Sequence, residues 1–195
     1  MVVNGILLEY YSGGSLQRVL NEKRIGEYDW ERWAVQIGDA LDILHRAKKT
    51  HMDLKPSNVV LDDDGNAVLI DISGIGGVTH EWRAPEIRGE ISPFDLPFQT
   101  RRWNDIWAYG KILSDIASNA ENTPFARTLR LVAGRFTEEI IHNRWNLSEG
   151  ISWLKNCQYS DIQVRTANTL DSSQQIQSIM VERFDLYHCL CEDVG

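Results

Sequence analysis

His51-Met52-Asp53-Leu54-Lys55-Pro56-Ser57-Asn58 gathers a carboxylate, a cation and an amide into one short loop, and Asp71 follows thirteen positions after Asn58. Between them lie two apolar runs, Asn58-Val59-Val60-Leu61 and Ala67-Val68-Leu69-Ile70, joined by Asp62-Asp63-Asp64-Gly65-Asn66. Asp, Gly and Asn tolerate the positive φ of a tight turn, so this pattern predicts a β-hairpin. A hairpin returns the chain on itself and brings Asn58 at its entrance beside Asp71 at its exit. Two hard oxygen donors meet there, of the kind that suits Mg²⁺.

Taken one at a time, these residues have plain readings: Asp53 as a turn residue, Lys55 as a solvated cation, Asn58 as a hairpin cap, Asp71 as a loop acid. Taken together they cover what phosphoryl transfer asks of a protein, which is alignment and charge neutralisation more than covalent help. Asp53 is placed to accept or orient a substrate hydroxyl proton. Lys55 offsets charge on the transferred group, and Asn58 with Asp71 offers a metal site.

Outward from the loop the chain reads as mostly helical. Val2 to Tyr10 has the apolar run of a buried strand, closed by Gly13-Gly14, with Ser15 placed to cap a short helix through Asn21. Trp30, Trp33, Ala34, Ile37, Leu41 and Leu44 recur at helical spacing, which predicts a helix capped by Asp29 and running to about His45. The segment from Ile72 to Phe98 is rich in Gly and Pro and reads as loop with a short helix near Pro85. A further helix is expected to start at Asn104 or Asp105 and to carry Ile106, Tyr109, Ile112, Leu113 and Ile116 on one face. Residues 125–141 and 147–156 read as helical too. Ser172 with Gln175 forms a capping-box pattern ahead of a stripe of Ile176, Ile179, Met180, Phe184 and Tyr187.

Bulk properties narrow the classes of function. The 195 residues, 43% hydrophobic and 25% charged, suit one domain with a substantial core. A net charge of -8 gives no general attraction to nucleic acid or anionic lipid. The longest apolar runs, such as Ile6-Leu7-Leu8, are too short to span a bilayer, and no basic-then-apolar leader opens the chain. Cys157, Cys189 and Cys191 are odd in number and lack CxxC spacing, which points to reduced thiols in a cytoplasmic or nuclear, not secreted, protein. Asn146-Leu147-Ser148 matches a glycosylation sequon that means nothing without secretion.

Four segments in order resemble the eukaryotic protein kinase family, of the serine/threonine type, over most of the first 155 residues. His51 to Asn58 resembles the catalytic loop, Asp71-Ile72-Ser73 the metal-binding DFG, Ala84-Pro85-Glu86 the APE, and Asp105-Ile106-Trp107-Ala108-Tyr109-Gly110 the DxWxxG that opens the central helix of the large lobe. The resemblance implies Asp53, Lys55 and Asn58 as catalytic residues and Asn58 with Asp71 as metal ligands. Leu7-Leu8-Glu9-Tyr10 resembles the hinge, which assigns Leu8, Glu9 and Tyr10 to the nucleotide side. Structural roles are implied for His51, Thr79, Glu86, Asp105 and Arg144: Thr79 supporting Asp53 and Lys55, Arg144 pairing with Glu86. ATP and Mg²⁺ are the implied cofactors and a protein the implied substrate or partner. Small-molecule kinases of the aminoglycoside and choline type share a similar loop, but they usually have His in the place of Lys55, and the APE-like and DxWxxG-like segments argue against them.

The departures from the pattern carry their own expectations. The glycine-rich loop, the strand lysine and its glutamate partner belong ahead of the hinge, and Gly74-Ile75-Gly76-Gly77 is no substitute because it follows Asp71. The expected fold is therefore mainly α with small β-hairpins, a kinase-like large lobe (α+β) over 1–155 followed by a C-terminal extension over 156–195 with an amphipathic helix. A truncated kinase domain of this kind is expected to be weak or inactive alone. The alternative is a scaffold that holds a partner near Glu86 and the C-terminal helix, and in either case the uncovered hinge face is expected to bring poor solubility or a partner over it. Met52 stands where the family carries the arginine that reads a loop phosphate, and only fifteen positions separate Asp71 from Glu86, so activation by loop phosphorylation is not expected.

Overall fold

Ser15 accepts a hydrogen bond from the Arg18 backbone N–H at 3.3 Å and so opens the first helix, α1 (Leu16–Asn21), as its position predicts. The computed structural model describes residues 9–72 and 78–170. After α1 come α2 (Glu31–Arg46), an antiparallel hairpin of β1 (Val59–Leu61) and β2 (Ala67–Leu69), then α3 (Phe98–Asn119), α4 (Pro124–Phe136) and α5 (Leu147–Leu170). The chain is mainly helical with one small hairpin among the described residues. It divides after Lys155; of the second unit the helical backbone from 156 to 170 is described, with side chains as far as 158.

The hairpin pairs Val59 with Leu69, Val60 with Val68 and Leu61 with Ala67. Its turn is shaped by Asp62, whose Oδ1 accepts from the N–H groups of Asp64 (3.0 Å) and Asn66 (2.7 Å), and Gly65 takes the positive φ of 73° that the turn requires. Helix α2 grips this turn from one side. Trp33 Nε1 donates to Gly65 O (2.8 Å), Gln36 Nε2 to Asn66 Oδ1 (2.8 Å), and Gln36 Oε1 accepts from Ala67 N (2.8 Å). On the other edge Leu61 N donates to Gly14 O at 2.9 Å, an approach open because a Cβ on Gly13 would lie 2.7 Å from that of Leu61. The hairpin is thus held by its turn, which leaves its open end to carry Asn58 and Asp71.

The core forms around α3. Ile106, Tyr109, Ile112, Leu113 and Ile116 are buried on it, against Trp33, Ile37 and Leu41 of α2 and Phe125, Leu129 and Phe136 of α4. Burial of each such side chain stabilises by about 1.5–3 kcal/mol. Phe136 enters a gap made by two glycines: a Cβ on Gly110 would lie 2.8 Å from its Cβ, and one on Gly150 would lie 2.1 Å from its ring. Leu147, Ile151 and Leu154, on the first turns of α5, complete the buried set.

Several boundaries differ from expectation. Asp29 does not cap α2; Trp30 does, in helical conformation, its ring 6.0 Å from that of Phe125, and the helix starts from that contact. Helix α3 begins at Phe98, not at Asn104 or Asp105, because those two side chains are spent on other segments: Asn104 Oδ1 accepts from Ala84 N (2.9 Å), and Asp105 holds the His51 loop. Helix α4 stops at Phe136 instead of 141, where Thr137 turns its hydroxyl back to Ala133 O (2.8 Å), and α5 runs past 156 to Leu170. The loop from 72 holds short 3-10 turns at His80–Trp82, Pro85–Ile87 and Pro93–Asp95. The strand expected over 2–10 falls mostly outside the described residues, and Glu9 and Tyr10 are not in a strand. The Ser172 cap and the stripe from Ile176 also lie outside the described residues.

Candidate active site

The loop from His51 to Asn58 is fixed from beneath by one buried carboxylate. Asp105 Oδ2 accepts from His51 N (2.8 Å) and from His45 Nε2 (2.9 Å), and its Oδ1 accepts from Met52 N (2.8 Å). The Asp105 side chain has no exposure at all. Met52 is buried and takes a left-handed φ of 67°, a conformation that costs a non-glycine residue energy and is held here by its bonded neighbours. His51 Nε2 bonds to Ile70 O at 2.9 Å, which ties the loop to the exit of β2. At the same place Ile70 N donates to Asn58 O at 3.0 Å, so the backbones of hairpin entrance and exit are in contact.

Above that anchor, four polar side chains close on one another. Lys55 Nζ lies 2.6 Å from Asp53 Oδ2 and donates to Thr79 Oγ1 at 2.7 Å. Thr79 donates to Asp53 Oδ1 twice, from its N–H (2.9 Å) and its hydroxyl (2.7 Å). Asn58 Nδ2 donates to Asp53 O (2.8 Å) and Oδ2 (3.2 Å). Burial pushes the Asp53 carboxyl up, but Lys55 and the two Thr79 donors outweigh it and hold the group below the ordinary carboxylate value. A carboxyl depressed on folding contributes stability that is complete above its unfolded value of about 3.9 and is lost as pH falls through the folded value. Urea midpoints measured from about pH 5 downward should therefore fall more steeply for the unsubstituted chain than for Asp53→Asn; parallel curves would show that the network adds nothing to stability.

Asp71 follows β2 with a left-handed φ of 57° and an exposed side chain. No group of three or more His, Cys, Asp or Glu that could hold a metal occurs among the described residues. The donors available are the Asp71 carboxylate and Asn58 Oδ1, which points away from the Nδ2 hydrogens spent on Asp53. Two hard oxygens fit Mg²⁺, which keeps several waters and phosphate oxygens in its shell, and do not fit an all-protein cage.

Further out, Arg144 and Glu86 form a two-pronged ion pair, Nη1 to Oε1 at 2.6 Å and Nη2 to Oε2 at 2.8 Å. The Arg144 side chain is fully buried, donates from Nε to Glu138 O (2.6 Å) and lies 5.0 Å from the centre of the Trp107 ring. Of the residues assigned to the nucleotide side, Leu8 lies outside the described residues. Glu9 accepts from the Tyr11 hydroxyl (3.0 Å) and Tyr10 is 86% exposed; no hydrogen bond joins either to the His51 loop. Sequence reasoning did not single out His45 or Asn104. His45, four positions after Leu41 on the buried face of α2, carries no sequence signal that marks it; its contact with Asp105 does.

Comparison with known proteins gives the same direction throughout. A family model described as a protein kinase domain matches residues 3–180. The serine/threonine-protein kinase pak-2 of Caenorhabditis elegans is 28% identical over 123 residues, which are 57% of this chain and 22% of that protein. The eIF-2-alpha kinase GCN2 of Homo sapiens is 29% identical over 124 residues, 62% of this chain and 8% of that protein. The CBL-interacting serine/threonine-protein kinase 21 of Arabidopsis thaliana is 39% identical over 66 residues, 34% of this chain and 16% of that protein. The chain thus aligns with less than a quarter of the length of each of these relatives.

Proposed function

Because the chain belongs to the protein kinase family, matched over residues 3–180, we propose that its site performs transfer of a phosphoryl group from ATP to a serine or threonine hydroxyl of a protein. The observation that carries this is the closed set of Asp53, Lys55, Thr79 and Asn58, in which every member faces another at 3.2 Å or less. A solvated turn would not spend three side chains on holding one carboxylate in place. Magnesium-bound ATP would supply the phosphoryl group and the metal charge at Asp71 and Asn58.

The residues of the chain divide the remaining work. Both oxygens of Asp53 are occupied, Oδ1 by Thr79 and Oδ2 by Lys55 and Asn58. When Lys55 turns toward an incoming phosphate, Oδ2 keeps only the longer Asn58 contact of 3.2 Å and can accept the substrate hydroxyl, and Thr79 keeps the carboxylate from rotating. The depressed pKa suits a group that orients a hydroxyl and takes its proton late, as charge on the oxygen falls. Lys55 then offsets charge on the transferred group. Lys55 is the choice of the serine/threonine type, and the names of the relatives above agree with it.

We expect slow turnover from these 195 residues by themselves. Radiolabelled transfer from ATP to a generic protein substrate tests the proposal. The expected result is slow, magnesium-dependent transfer, with Asp71→Asn raising the magnesium requirement about tenfold or more. If no transfer occurs and MgATP does not raise the thermal midpoint, the reading fails, and a lobe that serves to bind a partner takes its place.

A further inference from the structure

Three cations meet around one cavity on the far side of Ile72, and the active site uses none of them. The cavity, of about 470 Å³, is lined by Lys48, Lys49, Thr50, Ile72, Phe94 and Arg101. Lys48 and Lys49 follow α2, with the backbone of Lys48 in left-handed conformation at φ 58° and its Nζ 5.4 Å from the centre of the Phe98 ring. Arg101 comes from the first turn of α3. Its buried Nε has no hydrogen-bond partner, and no ion pair engages Lys48, Lys49 or Arg101 among the described residues. Asp71 and Asp95, the neighbours in sequence of Ile72 and Phe94, do not line the cavity. In a chain of net charge -8 this is a local reversal of sign.

The negative end of α2 accounts for Lys48 and Lys49, since cations are favoured there. It does not account for Arg101. A cation in the first turn of a 22-residue helix faces the positive end of the dipole, and α3 has neither an acidic residue in that turn nor a side-chain cap to offset it. The unpaired Nε is shared with Arg32 and Arg102, but Arg101 alone of the three lines a cavity with two lysines, and a charge kept there where the fold disfavours it suits a ligand that supplies an acceptor. Three cations exceed what one carboxylate needs and match a phosphoryl dianion, which offers three acceptor oxygens to an arginine fork and to lysine point charges. The walls add a second element. Ile72 and Phe94 are 40% and 39% exposed and flank the cations with apolar surface, which a bare inorganic anion has no use for.

We propose that the Lys48–Lys49–Arg101 cavity is a docking site for a phosphorylated segment of a partner protein, with the phosphoryl group among the three cations and an adjacent apolar side chain against Ile72 and Phe94. The volume falls within the range of about 300–1,000 Å³ common to ligand sites. This site is separate from Asp53 and does not depend on transfer by it.

The test uses the full chain without nucleotide, titrated with a capped tripeptide carrying phosphoserine between two leucines, with the unphosphorylated tripeptide, and with inorganic phosphate. Amide shifts followed by NMR should move at Lys48, Lys49, Thr50 and Arg101, and the phosphopeptide should bind at least about tenfold more tightly than either control. Lys48→Gln with Lys49→Gln, and separately Arg101→Gln, should each weaken binding about fivefold or more, while Arg127→Gln on α4 leaves it unchanged. Arg101→Gln should also hold or raise the thermal midpoint, because it removes a cation from a helix start. Inorganic phosphate binding as tightly as the phosphopeptide would overturn the protein-borne source. Unchanged binding in the lysine and arginine variants, shifts confined to other residues, or an Arg101→Gln chain that loses stability and keeps its binding would each overturn the site.

Discussion

Asp53→Asn is expected to lower phosphoryl transfer by about 10²- to 10⁴-fold relative to the unsubstituted chain, the range that a positioned base contributes. The reason lies in how the carboxylate is shared. Oδ1 takes both Thr79 donors and Oδ2 takes Lys55 and Asn58. An amide can present an oxygen at only one of those positions. With the oxygen toward Thr79, the new NH₂ confronts the Lys55 ammonium and the Asn58 amide, donor against donor, and no acceptor remains for a substrate hydroxyl. With the oxygen toward Lys55, Thr79 loses its partner for two donors. Either arrangement disables the residue, and the first displaces Lys55 as well. Stability should fall by a smaller amount, about 1–3 kcal/mol for donors left without acceptors in a partly exposed site. Measuring rate and thermal midpoint on the same preparation separates the two effects. A variant that keeps a tenth or more of the starting rate would remove Asp53 from the mechanism.

The hairpin was legible in the sequence because its cause is local. Asp62, Gly65 and Asn66 are close enough to bond one another, and the runs on either side are equal in length. Ser15 was legible for the same reason. Asp29, Asn104 and Asp105 misled for the opposite one. Each has a side chain that caps helices well, but Asn104 serves Ala84 and Asp105 serves His51 and Met52, partners 20, 54 and 53 residues away in sequence. A cap signal states that a side chain can accept a backbone N–H and not which N–H it will find. The site shows the same division. The spacing of Asp53, Lys55, Asn58 and Asp71 could be read as chemistry, and Thr79 entered through the family resemblance, but which oxygen of Asp53 it takes, 26 positions along the chain, depends on packing. His45 stood on a helical stripe where an apolar residue would have served equally, and only its contact with Asp105 sets it apart.

Asp105→Ala is expected to destabilise the chain by about 3–5 kcal/mol, a large part of the 5–15 kcal/mol typical of a domain. The carboxylate has no exposure and accepts three donors: His51 N, Met52 N and His45 Nε2. Alanine supplies no acceptor and leaves too little room for water to replace all three, and each buried donor without a partner costs about 1–3 kcal/mol. The costs overlap, because a loop freed at His51 can relax at Met52, so the expected total lies below their sum. Asp105→Asn separates charge from hydrogen bonding. With its oxygen in the Oδ2 position it keeps His51 and His45 and sets its NH₂ against Met52 N, so the loss should be about 1–3 kcal/mol. Urea unfolding gives both values from the shift in midpoint at constant slope. The left-handed Met52 makes the result informative beyond stability. Its conformation persists because Asp105 holds the two successive N–H groups of His51 and Met52, and Asp53 follows directly. Release of Met52 should therefore disorder Asp53 before the helices melt, visible as loss of the Thr79 and Lys55 contacts by NMR below the unfolding midpoint. A chain in which Asp105→Ala costs less than about 1 kcal/mol would mean that the loop is held by its own turns and that Asp105 merely occupies space beneath it.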